Sequence, residues 1–180
     1  REGRRRARPL ARTRRPRVRS IGSLTITSEF VCHPGPTLGY RIESERSIFT
    51  YMPDHEPALG SIAFATNAEW TSGYSLAENA DLLLHDAQYR NEEYKKRIGW
   101  GHCSMEDALK FASLANVKKM LLFHHDPSHT DDQLNQLFIE STQGRSFPFE
   151  VDMCAEGFTC ELKKKKRKPR QLHEFLHRFH

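Results

Sequence analysis

The sequence predicts an α/β fold. Short apolar runs bounded by polar turns recur in its first half as strand candidates. In its second half such runs alternate with two segments of helical apolar spacing, the pattern of a layered α/β domain. A length of 180 residues suits about one domain.

Residues 1–19 come first and fit no element. They hold ten Arg and one Glu and almost nothing apolar, so they repel themselves and are expected to be disordered. From Ser23 the pattern changes. Leu24 and Ile26, then Phe30 and Cys32, alternate as in a strand, with a slip expected near Ser28. Thr37 to Ile42 and Ser47 to Met52 read as two more strands joined by the polar turn Glu43-Ser44-Glu45-Arg46. Residues 66–80 are mixed and small, a loop with a short helix. Asp81 to His85 is a short apolar run suited to a buried strand.

Ser104 is a helix N-cap candidate with Asp107 three residues on, and Met105, Ala108, Leu109, Ala112 and Ala115 follow at helical spacing. Val117 to Phe123 reads as a strand. Thr130 opens a second helix, with Asp131 and Asp132 in its first turn, Gln133 at the capping-box position, and Leu134, Leu137 and Phe138 on one face. Val151 to Met153 and Phe158 to Leu162 are expected to close the sheet as a pair around Gly157. The reading gives a basic tail over 1–20, a domain over 21–162 and a basic tail over 163–180.

The net charge of +5 hides this division. Residues 1–19 carry +9, residues 163–180 carry +7, and the segment between them carries −11. A basic total alone would suggest nucleic-acid binding, but the body of the chain is acidic. No apolar stretch approaches the roughly 20 residues needed to cross a bilayer. No apolar run follows the basic start, as a secretory signal requires. Prolines and the lack of amphipathic period argue against an organelle transit peptide. Cys32, Cys103, Cys154 and Cys160 form no paired framework, so a reduced, cytoplasmic setting is the expectation.

Chemistry-bearing residues fall at strand ends. His33 follows the strand ending at Cys32, Asp54 follows Met52, His85 and Asp86 follow Leu82-Leu83-Leu84, and His124 follows Phe123. His102 stands just before the N-cap at Ser104. Ligands of open α/β sheets bind beyond strand ends, and imidazole with carboxylate suits a metal such as zinc. The bland reading of any one of these is a solvated or core side chain; the repetition carries the signal. His55 and Glu56 are expected to face solvent near the site entrance. His125, Asp126 and His129 read as a polar loop, and Tyr40 as a packing residue.

These residues resemble the metallo-beta-lactamase superfamily, in its ribonuclease Z and cyclic phosphodiesterase branches. His33 with Gly39-Tyr40 resembles the third metal motif. Tyr51-Met-Pro-Asp54-His55 resembles the segment whose Asp bridges two metals. Leu84-His85-Asp86-Ala87-Gln88 resembles the His-Glu-Ala-Thr segment, and Gly101-His102-Cys103-Ser104 the Gly-His-Ser-Thr segment whose His assists proton transfer. Leu122-Phe123-His124-His125-Asp126-Pro127 resembles the last motif. The order and intervals agree across about residues 24–162. The resemblance implies an αββα sandwich. It also implies a hydrolase that cleaves a phosphodiester by zinc-bound hydroxide, with His33, Asp54 and His124 as metal positions and His102 and Asp86 as catalytic ones.

The superfamily's His-x-His-x-Asp-His signature is absent from the sequence. The resemblance therefore covers only the C-terminal half of the two-halved fold. The two zinc ions of the family would meet an incomplete ligand set, so weak or absent metal binding is expected. An uncovered sheet face is expected too, and with it homodimerisation, aggregation or poor solubility. The implied substrate is a small-molecule or nucleotide phosphodiester. The alternatives are a non-catalytic remnant of a hydrolase and a nucleic-acid-binding protein that uses its basic tails.

Overall fold

A computed structural model describes residues 16–61, 63–65 and 67–162. Both basic tails, apart from the stretch after residue 15, lie outside the described residues. Among the described residues, seven strands form one mixed sheet in sequence order: β1 (Arg17–Ile21), β2 (Leu24–Phe30), β3 (Leu38–Glu43), β4 (Ile48–Met52), β5 (Leu82–Asp86), β6 (Lys119–Phe123) and β7 (Glu150–Met153). The first four pair antiparallel as a meander, and β4 to β7 run parallel. The change follows from connection length. Two- to seven-residue links close hairpins, whereas the longer links after β4, β5 and β6 carry helices and return the chain to the same end. Those helices are α1 (Tyr74–Ala77), α2 (Asn91–Tyr94), α3 (Met105–Leu114) and α4 (Asp131–Thr142).

Both expected caps form. Ser104 Oγ accepts the Asp107 N–H at 3.1 Å. Thr130 and Gln133 exchange hydrogen bonds in both directions, closing a capping box. Phe111, Leu109, Ala108 and Ala112 of α3 are buried in the main core with Met52, Leu83, Met120 and Leu122 of the sheet.

Cross-strand partners share a face, so the register defines the opposite face. One row runs Arg17, Ser28, Tyr40, Tyr51, Leu84, Leu121 and Asp152. Beside it run Arg19, Ile26, Ile42, Phe49 and Leu82. Tyr40 stacks on Tyr51 at 6.5 Å between centroids, and Phe123 lies 5.5 Å from Tyr51. Tyr40, Ile42, Phe49, Tyr51, Leu84 and Phe123 are only half-buried. The row begins on two arginines at the β1 edge, and β7 closes the other edge with exposed Glu150 and Asp152.

Three expectations differ. The tail reading to residue 20 gives way at Arg17, where β1 begins. An edge strand tolerates arginine because its side chains stay in water: all five residues are exposed while the backbone pairs with β2. No slip occurs at Ser28, since β2 pairs continuously from Thr25 to Phe30 with β3. Phe158 to Leu162 form no strand. The turn before them exists, with Phe158 N–H on Ala155 O at 3.1 Å, but the segment does not return along β7, which stands last in the sheet and pairs only with β6 among the described residues. Among the described residues, no helix is long and apolar enough to cross a membrane.

Candidate functional site

Three adjacent parallel strands, β4, β5 and β6, end at one edge of the sheet and deliver Asp54, Asp86 and His124 there. His124 follows Phe123 directly and takes φ +59°. Few non-glycine residues enter this left-handed region, although His is among those that do. From this backbone its ring stacks on His102 at 4.9 Å with an interplanar angle of 12°. Its Nε2 lies 3.3 Å from Asp54 Oδ1. One donor atom from each of Asp54, Asp86, His102 and His124 lies within 4.8 Å of the others.

Asp86 is fully buried. Its Oδ2 accepts His102 Nδ1–H at 2.5 Å and the His55 N–H at 3.3 Å, and its Oδ1 accepts the Gln88 N–H at 3.1 Å. Burial lifts the Asp86 carboxyl, and its bonds to His102 reverse only part of that rise. Burial pulls His102 down, but the Asp86 hydrogen bond and charge outweigh it and raise His102 above its ordinary value. Because the carboxylate holds a proton at Nδ1, Nε2 is the nitrogen His102 keeps for exchange.

His33 stands on the other side of His102, ring centroids 5.6 Å apart and edge to face. Its Nδ1 accepts the Gly35 N–H at 3.0 Å and lies 2.9 Å from Thr37 Oγ1. Through Nδ1 the ring is tethered to its own loop. While Nδ1 accepts the Gly35 N–H, the neutral ring carries its proton at Nε2. Ligation through Nε2 requires that proton to move to Nδ1, where Thr37 Oγ1 at 2.9 Å can accept it. Gly101 backs this ring: at φ +94°, a Cβ there would lie 2.0 Å from His33 Cδ2.

The expectation that His55 and Glu56 face solvent is wrong, since both are fully buried. The reason lies in donors distant in sequence. Glu56 accepts the Tyr94 O–H at 2.8 Å, the Gly99 N–H at 2.8 and 3.0 Å, and the Gly101 N–H at 2.9 Å. A buried carboxylate with such donors is stable where a bare one is not. It ties the segment leading to His102 onto the loop after β4. His55 Nδ1 lies 2.9 Å from His85 Nε2, and His85 Nδ1 lies 2.6 Å from the Asp86 carbonyl. Both rings abut Phe111. His85 thus belongs to the core, behind the site. Farther out, His129 Nε2 pairs with Glu93 Oε1 at 2.9 Å, and Asp126 accepts the N–H and O–H of Ser128. The Glu56 clamp was missed because no local pattern marks two glycine amides more than 40 residues away as its partners.

The donor set fits a divalent metal. Imidazole nitrogen and carboxylate oxygen are the ligands zinc accepts, and two ligands each about 2 Å from a tetrahedral ion stand about 3.3 Å apart, the separation of Asp54 and His124. Asp86 already accepts three hydrogen bonds and serves His102.

Residues 6–125 match the sequence model of a family described as a beta-lactamase superfamily domain. Ribonuclease Z of Listeria monocytogenes is 35% identical over 88 residues, which are 48% of this chain and 29% of that protein. The metallo-beta-lactamase fold protein YhfI from Bacillus subtilis superposes with a TM-score of 0.57 at 21% identity, over 79% of this chain and 51% of that one. Zn²⁺-bound PqqB from Methylobacterium extorquens superposes with a TM-score of 0.53 at 16% identity, over 85% and 51%. The match thus spans less than a third of the curated relative and about half of each solved chain. At these identities the structural likeness is one of fold.

Proposed function

The chain belongs to the beta-lactamase superfamily, and from that premise we propose that it is a metal-dependent hydrolase of phosphodiesters. The observation that carries this reading is the convergence of Asp54, Asp86, His102 and His124 at one sheet edge, donor atoms within 4.8 Å. The likeness to a ribonuclease supports the bond type, and the likeness to a zinc-bound protein supports the metal.

Asp54 and His124 would hold a zinc ion; His33, which stands outside the group whose donor atoms lie within 4.8 Å of one another, would complete the set from the β2 side. Bound there, zinc would supply Lewis-acid activation of water, whose pKa such an ion lowers from about 16 to about 7. The chain's own residues supply the rest. Asp86 fixes the ring and tautomer of His102 through Nδ1. His102 can then deliver a proton from Nε2 to the departing alkoxide, a contribution on the order of 10²–10⁴-fold. Glu56 keeps His102 in register by holding Gly99 and Gly101. A ligand set this small binds metal weakly, so activity requires zinc in excess. Four free cysteines fit the reducing cytoplasm.

Hydrolysis of bis(p-nitrophenyl) phosphate, followed by nitrophenolate release in excess zinc, tests the reading. Activity should vanish with a chelator and in Asp54→Ala, whereas His102→Ala should cost about a hundredfold or more on a phosphodiester with an alkoxide leaving group and far less on this ester, whose nitrophenolate departs without a proton. Zinc-loaded protein without hydrolysis would overturn it in favour of a non-catalytic relative.

A further inference from the structure

Leu59 stands in the left-handed region at φ +45°. A bulky side chain is an outlier there, and such strain persists only where the surroundings hold it. Gly60 follows at φ +74°, and Ser61 N–H donates to Ala58 O at 2.9 Å, so the two residues form the corners of a tight turn. The group that holds this turn lies far along the chain. Gly60 N–H donates to the Tyr94 hydroxyl at 2.7 Å, and Ile98 packs against Gly60.

The turn in turn orients Tyr94, whose ring is buried. Because the hydroxyl oxygen accepts Gly60 N–H, its proton points to the other neighbour, Glu56 Oε1 at 2.8 Å. Burial, then the Glu56 bond, push the hydroxyl up, so it stays a donor. Oε1 receives one further bond among the described residues, from Gly99 N–H at 2.8 Å, and that N–H is shared with Oε2 at 3.0 Å. Gly101 N–H donates to Oε2 at 2.9 Å. A carboxylate turns through a broad range about its last torsion. With the Tyr94 bond its plane is fixed. Without that bond, Oε1 is held only by its share of the Gly99 N–H.

The same short segment reaches two more walls of the site. Glu93 pairs with His129, on the loop that begins at His124, and Arg97 lies over the Tyr89 ring, which meets His102 edge-on at 6.1 Å. Asp86 sets the rotation and tautomer of the His102 ring. The backbone of His102 is set from the other side, through Gly101.

We propose that Tyr94 is a positioning residue for His102: it orients the Glu56 carboxylate, which holds Gly99 and Gly101 and through them the imidazole. This rests on the reading of His102 as proton donor and names what keeps the donor in place.

Tyr94→Phe tests it, since the variant loses the hydroxyl and keeps the buried ring. Amide hydrogen exchange by NMR on the full chain reads the segment without metal or substrate. Gly99 and Gly101 should exchange about tenfold or more faster, while Leu121 in β6 should not change. In a Glu56→Gln background the same substitution should add little, because Tyr94 acts through that carboxylate. Hydrolysis in excess zinc reads the effect on His102. On adenosine 2′,3′-cyclic phosphate, whose leaving alkoxide needs a proton, kcat should fall about tenfold with KM unchanged. On bis(p-nitrophenyl) phosphate, whose leaving group needs none, kcat should hold. Unchanged exchange at Gly99 and Gly101, a rise matched at Leu121, or equal loss on both esters would overturn the proposal. Should the unsubstituted chain hydrolyse neither ester, the catalytic reading fails and the His102 ring decides. Its imidazole NMR signals should then shift or broaden in Tyr94→Phe, and unchanged signals would overturn the positioning role by themselves.

Discussion

His55 and His85 share a buried contact, and burial forces both to stay neutral. Burial, then the neighbouring His85, hold His55 well below the usual imidazole range, and burial takes His85 down to about 4. In the unfolded chain both return to about 6.5. The unfolded state therefore binds more protons between those values. The His85 contribution is complete above about pH 6.5, falls as pH drops, and is lost below about 4, and that of His55 falls in the same direction. Urea denaturation at pH 7 and pH 4.5 should show a loss of up to about 3 kcal/mol from His85 alone. A His85→Asn variant should flatten that slope, and an unchanged slope would remove the pair as its source. Single residues were also the most legible scale in the sequence. His33, Asp54, Asp86, His102 and His124 were each marked by standing at the end of a strand or before a cap. His55 and Glu56 were misplaced because their burial depends on Phe111, Tyr94, Gly99 and Gly101, which lie far along the chain.

Elements with their own chemistry were readable and those made by partners were not. The helices α3 and α4 announce themselves through Ser104 with Asp107 and Thr130 with Gln133, because a cap is closed within one turn. Replacing Ser104 by Ala should cost about 1 kcal/mol in thermal or denaturant melts. By contrast β1 is all arginine, serine and exposed apolar side chains, and only the pairing offered by β2 makes it a strand. Phe158 to Leu162 show the converse, a strand-like composition that leaves the outer edge of β7 unjoined. The short segment Ile98–Gly101 has neither helix nor strand pattern, yet it is rigid through Glu56. Gly101→Ala should destabilise the fold by about 2 kcal/mol or more, because a Cβ there enters the His33 ring. It should also disturb His33 more than Asp54 or His124. Zinc affinity by calorimetry beside the melt separates the two effects. Glu56→Gln, which keeps shape but loses charge, should weaken zinc binding less than Gly101→Ala.

Among the described residues, one sheet face is sealed by α1 and α3 and the other has an aromatic row that stays half open. The alternation of Tyr40, Ile42, Phe49 and Tyr51 with Gly39, Arg41, Thr50 and Met52 was readable as strands. What covers the first set was not, because strand periodicity marks two faces without naming the partner of either. We expect the half-open face to drive self-association, seen as a dimer by sedimentation and as dye binding to exposed apolar surface that falls with protein concentration. A monomer that binds no such dye would contradict it. The row across that face carries arginine at one end and acid at the other, from Arg17 to Asp152. Two copies related by a two-fold axis parallel to the strands would lay the β1 edge of each over the β7 edge of the other. The ends then attract in both places at once, whereas an axis across the strands sets like charge on like. Rising ionic strength should therefore loosen the pair, the reverse of what purely apolar contact would do, so a salt series identifies the symmetry as well as the association.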